Sequence, residues 1–294
     1  MNNDERRLCP ACRANQPEAV GFKDSFEILV CAYCRTIYTG RIPDSDEAVN
    51  YDEYYSESNL SVPAFILNRL DEIIGEFASF RQSNRLLDIG FGAGTLLESA
   101  AGQGWRAFGL EVSKPAFEQA RAKGFEVFHG SLLEAAYPDN YFDVVTASEI
   151  LEHISAPQEN LAEIARILRP GGIFWATTPS ARGISYRLLK LSWSILCPPD
   201  HIQLYSKKGL SIMLKEAGFR NIEILAFAVN PGEILSHFRS VRSGAQFDRV
   251  KSGYALNESM MKSPIKRRIK SVANHTLSFL GIGDSLKIYA RKPG

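Results

Sequence analysis

The sequence predicts a doubly wound, mostly parallel α/β sheet, and three observations carry that reading. An apolar run through Leu86, Leu87 and Ile89, with Asp88 inside it, breaks into closely spaced glycines at 90, 92 and 94. It then turns helical through Leu96, Leu97 and Ala100, the pattern of a buried strand, a tight turn and a helix start. From there to Thr178, short apolar runs alternate with amphipathic stretches, as parallel strands joined by crossover helices require. Polar side chains also recur at strand ends: Asp88, Glu111, Ser148, Glu149 and Thr178 should ring one crevice at the carboxyl edge of the sheet.

The N-terminal segment stands apart. Four of the five cysteines lie in the first 34 residues, as Cys9-Pro-Ala-Cys12 and Cys31-Ala-Tyr-Cys34. Two C-x2-C pairs across such a gap offer four thiolates to one tetrahedral ion, so Cys9, Cys12, Cys31 and Cys34 are the expected ligands of a structural zinc. Arg13 and Arg35 follow the second cysteine of each pair, where ribbons of this kind often carry glycine. Between the pairs, Phe22, Phe26, Ile28 and Val30 alternate as in a small hairpin. Thr39 to Val49 is rich in Asp, Pro and Gly without an apolar period and marks a linker.

Tyr51-Asp52-Glu53-Tyr54-Tyr55 then precedes a helical period from Val62 to Phe80. The tyrosines read either as a strap packed on the domain or as the mouth of a pocket. After the glycine turn come a second strand from Trp105 to Leu110, a helix from Ala116 to Lys123 and a third strand from Phe125 to Phe128. A fourth strand follows from Asn140 to Ala147, then a helix from Pro157 to Leu168. Pro170-Gly171-Gly172 ends that helix ahead of a fifth strand from Ile173 to Thr178. Gly183 to Leu196 is apolar almost all round and reads as a buried segment or as a lid over an apolar acceptor; at this length it is too short to span a bilayer. A helix from Lys207 to Ala217, a sixth strand from Arg220 to Ala228 and a last strand from Ser285 to Arg291 complete the sheet.

The division expected from these patterns is a zinc-ribbon module over 1–45, a core over 46–229, a basic helical insert over 230–284 and the last strand from 285 to 294. The insert carries Arg239, Arg242, Arg249, Lys251, Lys262, Lys266, Arg267, Arg268 and Lys270 against Asp248 and Glu258. It reads as a solvated cap or as a surface for an anionic partner or a membrane. Across all 294 residues the net charge is only +1, which argues against a globally basic nucleic-acid binder. No apolar stretch after Met1 reads as a secretory signal, and no run reaches the ~20 residues of a membrane span. A cytoplasmic protein is expected.

The glycines choose among ligands. In Gly90-Phe91-Gly92-Ala93-Gly94-Thr95 the spacing is G-x-G-x-G, and Thr95 stands where a dinucleotide fingerprint carries its third close-packing residue one place on. With Asp88 ahead of it, this stretch resembles the first motif of class I S-adenosylmethionine-dependent methyltransferases. Phe142-Asp143-Val144-Val145 followed by Leu151-Glu152-His153, the Arg169-Pro170-Gly171-Gly172 exit turn, and His201 through Tyr205-Ser206 resemble the ubiquinone-biosynthesis O-methyltransferase type in the same order. The resemblance implies a seven-stranded Rossmann-like sheet and S-adenosyl-L-methionine as cofactor. Its methionine end would lie on Gly90, Gly92 and Gly94 behind Asp88, its ribose on Glu111, its adenine near Ser131 and Leu132, with Ser148 on the same rim. Where the family often has Asp, this chain has Ser131.

A sulfonium methyl is electrophilic already, so the protein must align the acceptor and, for a hydroxyl, take its proton. His153 and His201 are the candidate bases, since imidazole titrates near neutral pH, and Glu149 is the candidate orienter or alternative base. The expected acceptor is a hydroxyl, rather than N or C, on a small molecule, sugar or lipid-like compound. Two other readings are an RNA methyltransferase that binds RNA through the ribbon, and a non-catalytic protein that keeps the cofactor fold.

Overall fold

The computed structural model describes residues 6–55, 64–243 and 264–294. The chain divides into two compact units. One is built from the described residues of Met1–Asp44, Thr178–Leu210 and Ile224–Lys287, the other from those of Ser45–Thr177, Ser211–Glu223 and Ile288–Gly294. The cysteine-bearing segment shares a sheet and a core with residues far along the chain.

That sheet is four-stranded. β1 (Pro17–Lys23), β2 (Phe26–Cys31) and β3 (Ile37–Thr39) pair antiparallel, and β3 pairs in turn with the short β9 (Gln203–Leu204) through Ile37↔Leu204 and Tyr38↔Gln203. Asp24 and Ser25 both take positive φ, which suits the tight turn of a twisted hairpin. Phe22 lies opposite Glu27, so it falls on the other face from Phe26 and Ile28 and is exposed; alternation along a strand permits nothing else. Phe26, Ile28, Val30 and Ile37 pack against Tyr186, Leu189, Trp193, Leu196 and Leu204. The apolar stretch from Gly183 is therefore largely core. It forms helix α6 (Ile184–Leu189), breaks at Lys190, whose φ is +53°, and leaves Leu188 exposed.

Asp284 fastens the same unit: its carboxylate accepts from the Ser185 N–H at 2.9 Å and the Ser185 hydroxyl at 2.6 Å. Burial pushes its pKa up, against the pull of those donors. The insert contributes helices α8 (Pro231–Ser243) and α9 (Pro264–Leu280). Of its basic side chains only that of Arg268 falls among the described ones, and it is exposed; the others named above lie outside them. No helix among the described residues is long and apolar enough to cross a membrane.

The larger sheet has seven strands in the order β10-β11-β8-β7-β4-β5-β6. These are β4 (Arg85–Ile89), β5 (Arg106–Glu111), β6 (Glu126–His129), β7 (Phe142–Ser148), β8 (Leu168–Pro179), β10 (Arg220–Phe227) and β11 (Ser285–Arg291). β4 pairs parallel with β5 on one side and with β7 on the other, so the winding reverses beside β4, where open α/β sheets place their ligand crevice. Helices α2 (Ala64–Glu76), α3 (Thr95–Gly102), α4 (Lys114–Ala122) and α5 (Pro157–Ile167) belong to this unit. Ile74, Phe77, Leu86, Leu97, Trp105, Val144 and Trp175 form part of its buried core.

The fifth strand begins earlier than expected. Pro170-Gly171-Gly172 is not a turn before the strand but an irregularity within it, where the register against β7 shifts between Phe142 and Val144. A Cβ on Gly172 would stand 2.9 Å from the backbone oxygens of Arg169 and Asp143, so only glycine fits.

Asp143 explains much of the surrounding order. Fully buried, it accepts backbone N–H groups from Gln82 (2.9 Å), Ser83 (3.1 Å) and Asn84 (2.7 Å) and the Arg169 guanidinium at 2.5 Å. It thereby fixes the loop that feeds β4.

Candidate cofactor site and cysteine centre

The glycine turn is built where residues other than glycine would be strained. Gly90, Gly92 and Gly94 have φ of +67°, +52° and +75°, the left-handed region open to glycine at little cost. Gly94 is the N-cap of α3 and supplies no side-chain cap to the first-turn N–H groups. A Cβ at Gly92 would lie 2.6 Å from the Tyr55 hydroxyl, and one at Gly90 would collide with the Ile150 side chain. The turn is a close-approach surface, as a cradle for a ligand must be.

Glu111 ends β5 beside it. Its carboxylate accepts the Gly92 N–H at 2.9 Å, and on the other oxygen the N–H groups of Val112 (2.9 Å) and Ser113 (3.0 Å). A carboxylate held by backbone on the adjacent strand end is placed to accept vicinal hydroxyls, its remaining lone pairs being available to them. The Ser113 hydroxyl is buried without a hydrogen-bond partner. Together these features fit an adenosyl ligand: a glycine cradle, a backbone-anchored carboxylate and an unsatisfied buried hydroxyl at one strand-end rim.

Asp88 is buried under this turn and accepts the Thr146 hydroxyl at 2.7 Å. Burial pushes its pKa up to about 7; the Thr146 bond opposes the shift and the charge of Glu111 adds to it. Between its ordinary value of 3.8 and about 7 the folded chain keeps a proton that the unfolded chain releases. This group's contribution to stability therefore falls as pH rises to about 7 and levels off above it. Asp88→Asn is expected to raise the stability of the ligand-free protein at pH 8 by about 1–3 kcal/mol, measured by urea unfolding. The same change should weaken binding of the cationic cofactor at that pH, since the carboxylate charge is gone.

The remaining predicted positions divide. The Ser148 hydroxyl is hydrogen-bonded with that of Thr177 at 3.0 Å, and the Glu149 N–H donates to the Thr177 carbonyl at 2.9 Å. Glu149 takes a left-handed φ of +54°, an uncommon conformation for such a residue, and is exposed. Thr178, the next residue of β8, is buried. Ser131 gives both its N–H (2.8 Å) and its hydroxyl (2.6 Å) to Glu134, and Leu132 is buried.

His153 Nδ1 lies 3.1 Å from the Tyr51 hydroxyl and its Nε2 lies 4.0 Å from Glu152. In the other unit, His201 Nδ1 donates to the Ile195 carbonyl at 2.6 Å, and Asp200 lies 3.8 Å from Nε2. Of the tyrosine cluster, Tyr51 thus meets His153 and Tyr55 meets the glycine turn, while Asp52 accepts the Lys114 N–H at 2.8 Å. Ile150, Ser113 and Thr146 were not anticipated. Only Thr146 had a legible signal, as it sits directly across from Asp88 on the neighbouring parallel strand.

The cysteines converge. Cys9 and Cys34 sulfurs lie 3.5 Å apart, those of Cys12 and Cys31 3.6 Å, and all four lie within 4.8 Å of one another. A tetrahedron of sulfurs about zinc, with bonds of ~2.3 Å, has edges of roughly 3.8 Å, so the donor set fits. Arg13 and Arg35 both adopt left-handed φ, +57° and +65°, and return N–H bonds of 2.9 Å to the carbonyls of Cys9 and Cys31. The turns that glycine usually makes are made here by arginine. The Ser206 hydroxyl donates to the Cys34 carbonyl, so the segment after β9 holds one of the two turns.

The family model for the methyltransferase domain matches residues 62–224, more than half of the chain. Two curated proteins, each named ubiquinone biosynthesis O-methyltransferase, are similar to half of this chain. The one from Aromatoleum aromaticum is 32% identical over 160 residues, covering 68% of its own length. The one from Thiobacillus denitrificans is 29% identical over 161 residues, covering 69% of its own length. A solved structure described as a SAM-dependent methyltransferase from Archaeoglobus fulgidus matches 83% of this chain and all of its own, with a TM-score of 0.55 and 21% identity; this likeness concerns the fold. The chain belongs to the methyltransferase-domain family and is an S-adenosylmethionine-dependent methyltransferase.

Proposed function

We propose that the enzyme methylates a hydroxyl group of a small-molecule acceptor, in the manner that the names of its curated relatives describe for ubiquinone biosynthesis. The observation that carries the cofactor half of this reading is the Glu111 carboxylate bonded to the Gly92 N–H at the head of the glycine turn. Gly90, Gly92, Gly94 and Asp88 would hold the cofactor's amino-acid end, Glu111 its ribose, and Ser131, Leu132 and Ser148 the surrounding rim. When bound, the cofactor supplies an electrophilic sulfonium methyl.

His153 is the base in this reading. Tyr51 fixes one ring nitrogen and Glu152 stands near the other, so the imidazole is oriented for proton transfer. Glu149 serves as the orienting carboxylate, and His201 is the alternative base that a variant pair decides. We further propose that Cys9, Cys12, Cys31 and Cys34 hold one structural zinc, which needs the four thiols reduced and so accords with a cytoplasmic location.

The test is transfer of a tritiated methyl group from S-adenosylmethionine to extract of the source cells, fractionated into organic-soluble compounds, RNA and protein. The expected label is in an organic-soluble compound and survives mild alkali, as an ether does. His153→Ala should lower turnover by about 10²–10⁴-fold while leaving S-adenosylhomocysteine binding intact. Label in RNA would overturn the acceptor class, and an unchanged His153→Ala rate beside a crippled His201→Ala would move the base to His201.

A further inference from the structure

A cavity of about 590 Å³ opens within the cysteine-bearing unit, between the β1–β3 face and the segment from Ala181 to Ser192. Its charge is one-sided. Arg35, Arg182, Arg187 and Lys190 line it, and Glu18 is the only acidic residue among the lining ones. Glu18 is already engaged by Arg35, at 2.8 Å.

The other cations are not neutralised. Arg187 donates through Nε to the Arg182 carbonyl at 3.1 Å, and Lys190 lies 5.5 Å from the centre of the Tyr186 ring. Among the described residues, none of Arg182, Arg187 and Lys190 has an acidic partner. Partial desolvation draws the guanidinium of the exposed Arg182 below the usual arginine range, and the like charges of Arg187 and Arg35 draw it further. Such crowding costs energy in the empty state, and an anion between the guanidinium groups would relieve it. Apart from Ser192 and Tyr186 the rest of the lining is apolar, with Val30, Leu189 and Leu191 among its members.

We propose that this cavity binds a phosphate monoester carried on an apolar body, the phosphate lying between Arg182 and Arg187 and the body against Val30 and Leu189. Guanidinium groups suit this role because their paired N–H donors match phosphate oxygens. The volume is that of a small-ligand site. The inference stands apart from methyl transfer, since it concerns binding alone.

Calorimetric titration of the full zinc-loaded chain with octyl phosphate tests it, with octanol as the uncharged control. One saturable site is expected for octyl phosphate and none for octanol. Arg182→Gln/Arg187→Gln should weaken the site at least about tenfold, the loss of charge-assisted bonds to an anion. Both side chains are exposed and carry like charge, so the thermal midpoint of the variant should stay level or rise. S-adenosylhomocysteine binding should not change, which separates failure here from failure of the cofactor reading.

Sedimentation with phosphatidylcholine vesicles containing phosphatidic acid distinguishes the source. Binding that the double variant loses assigns the phosphate to a lipid headgroup, whereas octyl phosphate binding without sedimentation assigns it to a soluble compound. Absence of a saturable site, or equal affinity in the wild type and the double variant, overturns the proposal.

Discussion

Cys34→Ser is expected to yield a chain without zinc whose cysteine-bearing unit is no longer stably folded. Structural zinc binding contributes apparent free energies of roughly 10–16 kcal/mol in small cysteine modules, comparable with the ~5–15 kcal/mol that stabilises a whole domain. The dependence should be acute because the Cys31–Cys34 turn anchors neighbouring backbone: the Cys31 N–H donates to the Thr36 carbonyl at 2.9 Å, and Ser206 bonds the Cys34 carbonyl. Wild type should carry one zinc per chain by atomic absorption. Cobalt in its place should give the absorption bands of a tetrahedral thiolate site, and Cys34→Ser should lose both along with its near-ultraviolet circular dichroism. A wild type free of metal, with unchanged spectra after chelation, would refute the assignment.

The second large effect lies in the other unit. Asp143→Ala should destabilise the protein by about 3–5 kcal/mol, because it leaves the Arg169 charge and three backbone N–H groups without their acceptor. Burial alone would raise the pKa of Asp143. The Gln82 N–H, the Arg169 guanidinium and the N–H groups of Ser83 and Asn84 outweigh it and hold the group below the usual carboxylate range. Its stabilisation is thus present above the ordinary carboxylate value and is lost as pH falls through the lowered one. The urea midpoint of Asp143→Ala should drop accordingly at neutral pH, and the difference from wild type should shrink in strong acid.

The sheet was legible because its signals are local. Short continuous apolar runs, glycines at 90, 92 and 94, and a carboxylate closing the second strand each specify their own piece of backbone, and the pieces assemble in only a few ways. Cys9, Cys12, Cys31 and Cys34 were legible for the same reason. What escaped depends on distant partners. Nothing near residue 203 announces that Gln203 and Leu204 extend the ribbon's sheet beside β3, and nothing in the apolar run from Gly183 says which core receives it. The Phe-Asp pair at 142–143 was readable as a motif, but its work as an anchor for residues 82–84 belongs to the fold. Likewise the Tyr55 hydroxyl on Gly92 and the Tyr51 hydroxyl on His153 come from tertiary packing of a segment whose sequence shows only that it is aromatic.

Gly92 and Glu111 together should seat the adenosyl cofactor along the glycine turn, with its ribose on that carboxylate. Titrating S-adenosylhomocysteine into wild type and Glu111→Ala in a calorimeter tests this placement most directly. One site per wild-type chain is expected, with a loss of at least about 100-fold in Glu111→Ala, as removing two charge-assisted hydrogen bonds entails. Equal affinity in the two proteins would contradict it, and so would a wild type that takes up no S-adenosylhomocysteine at all.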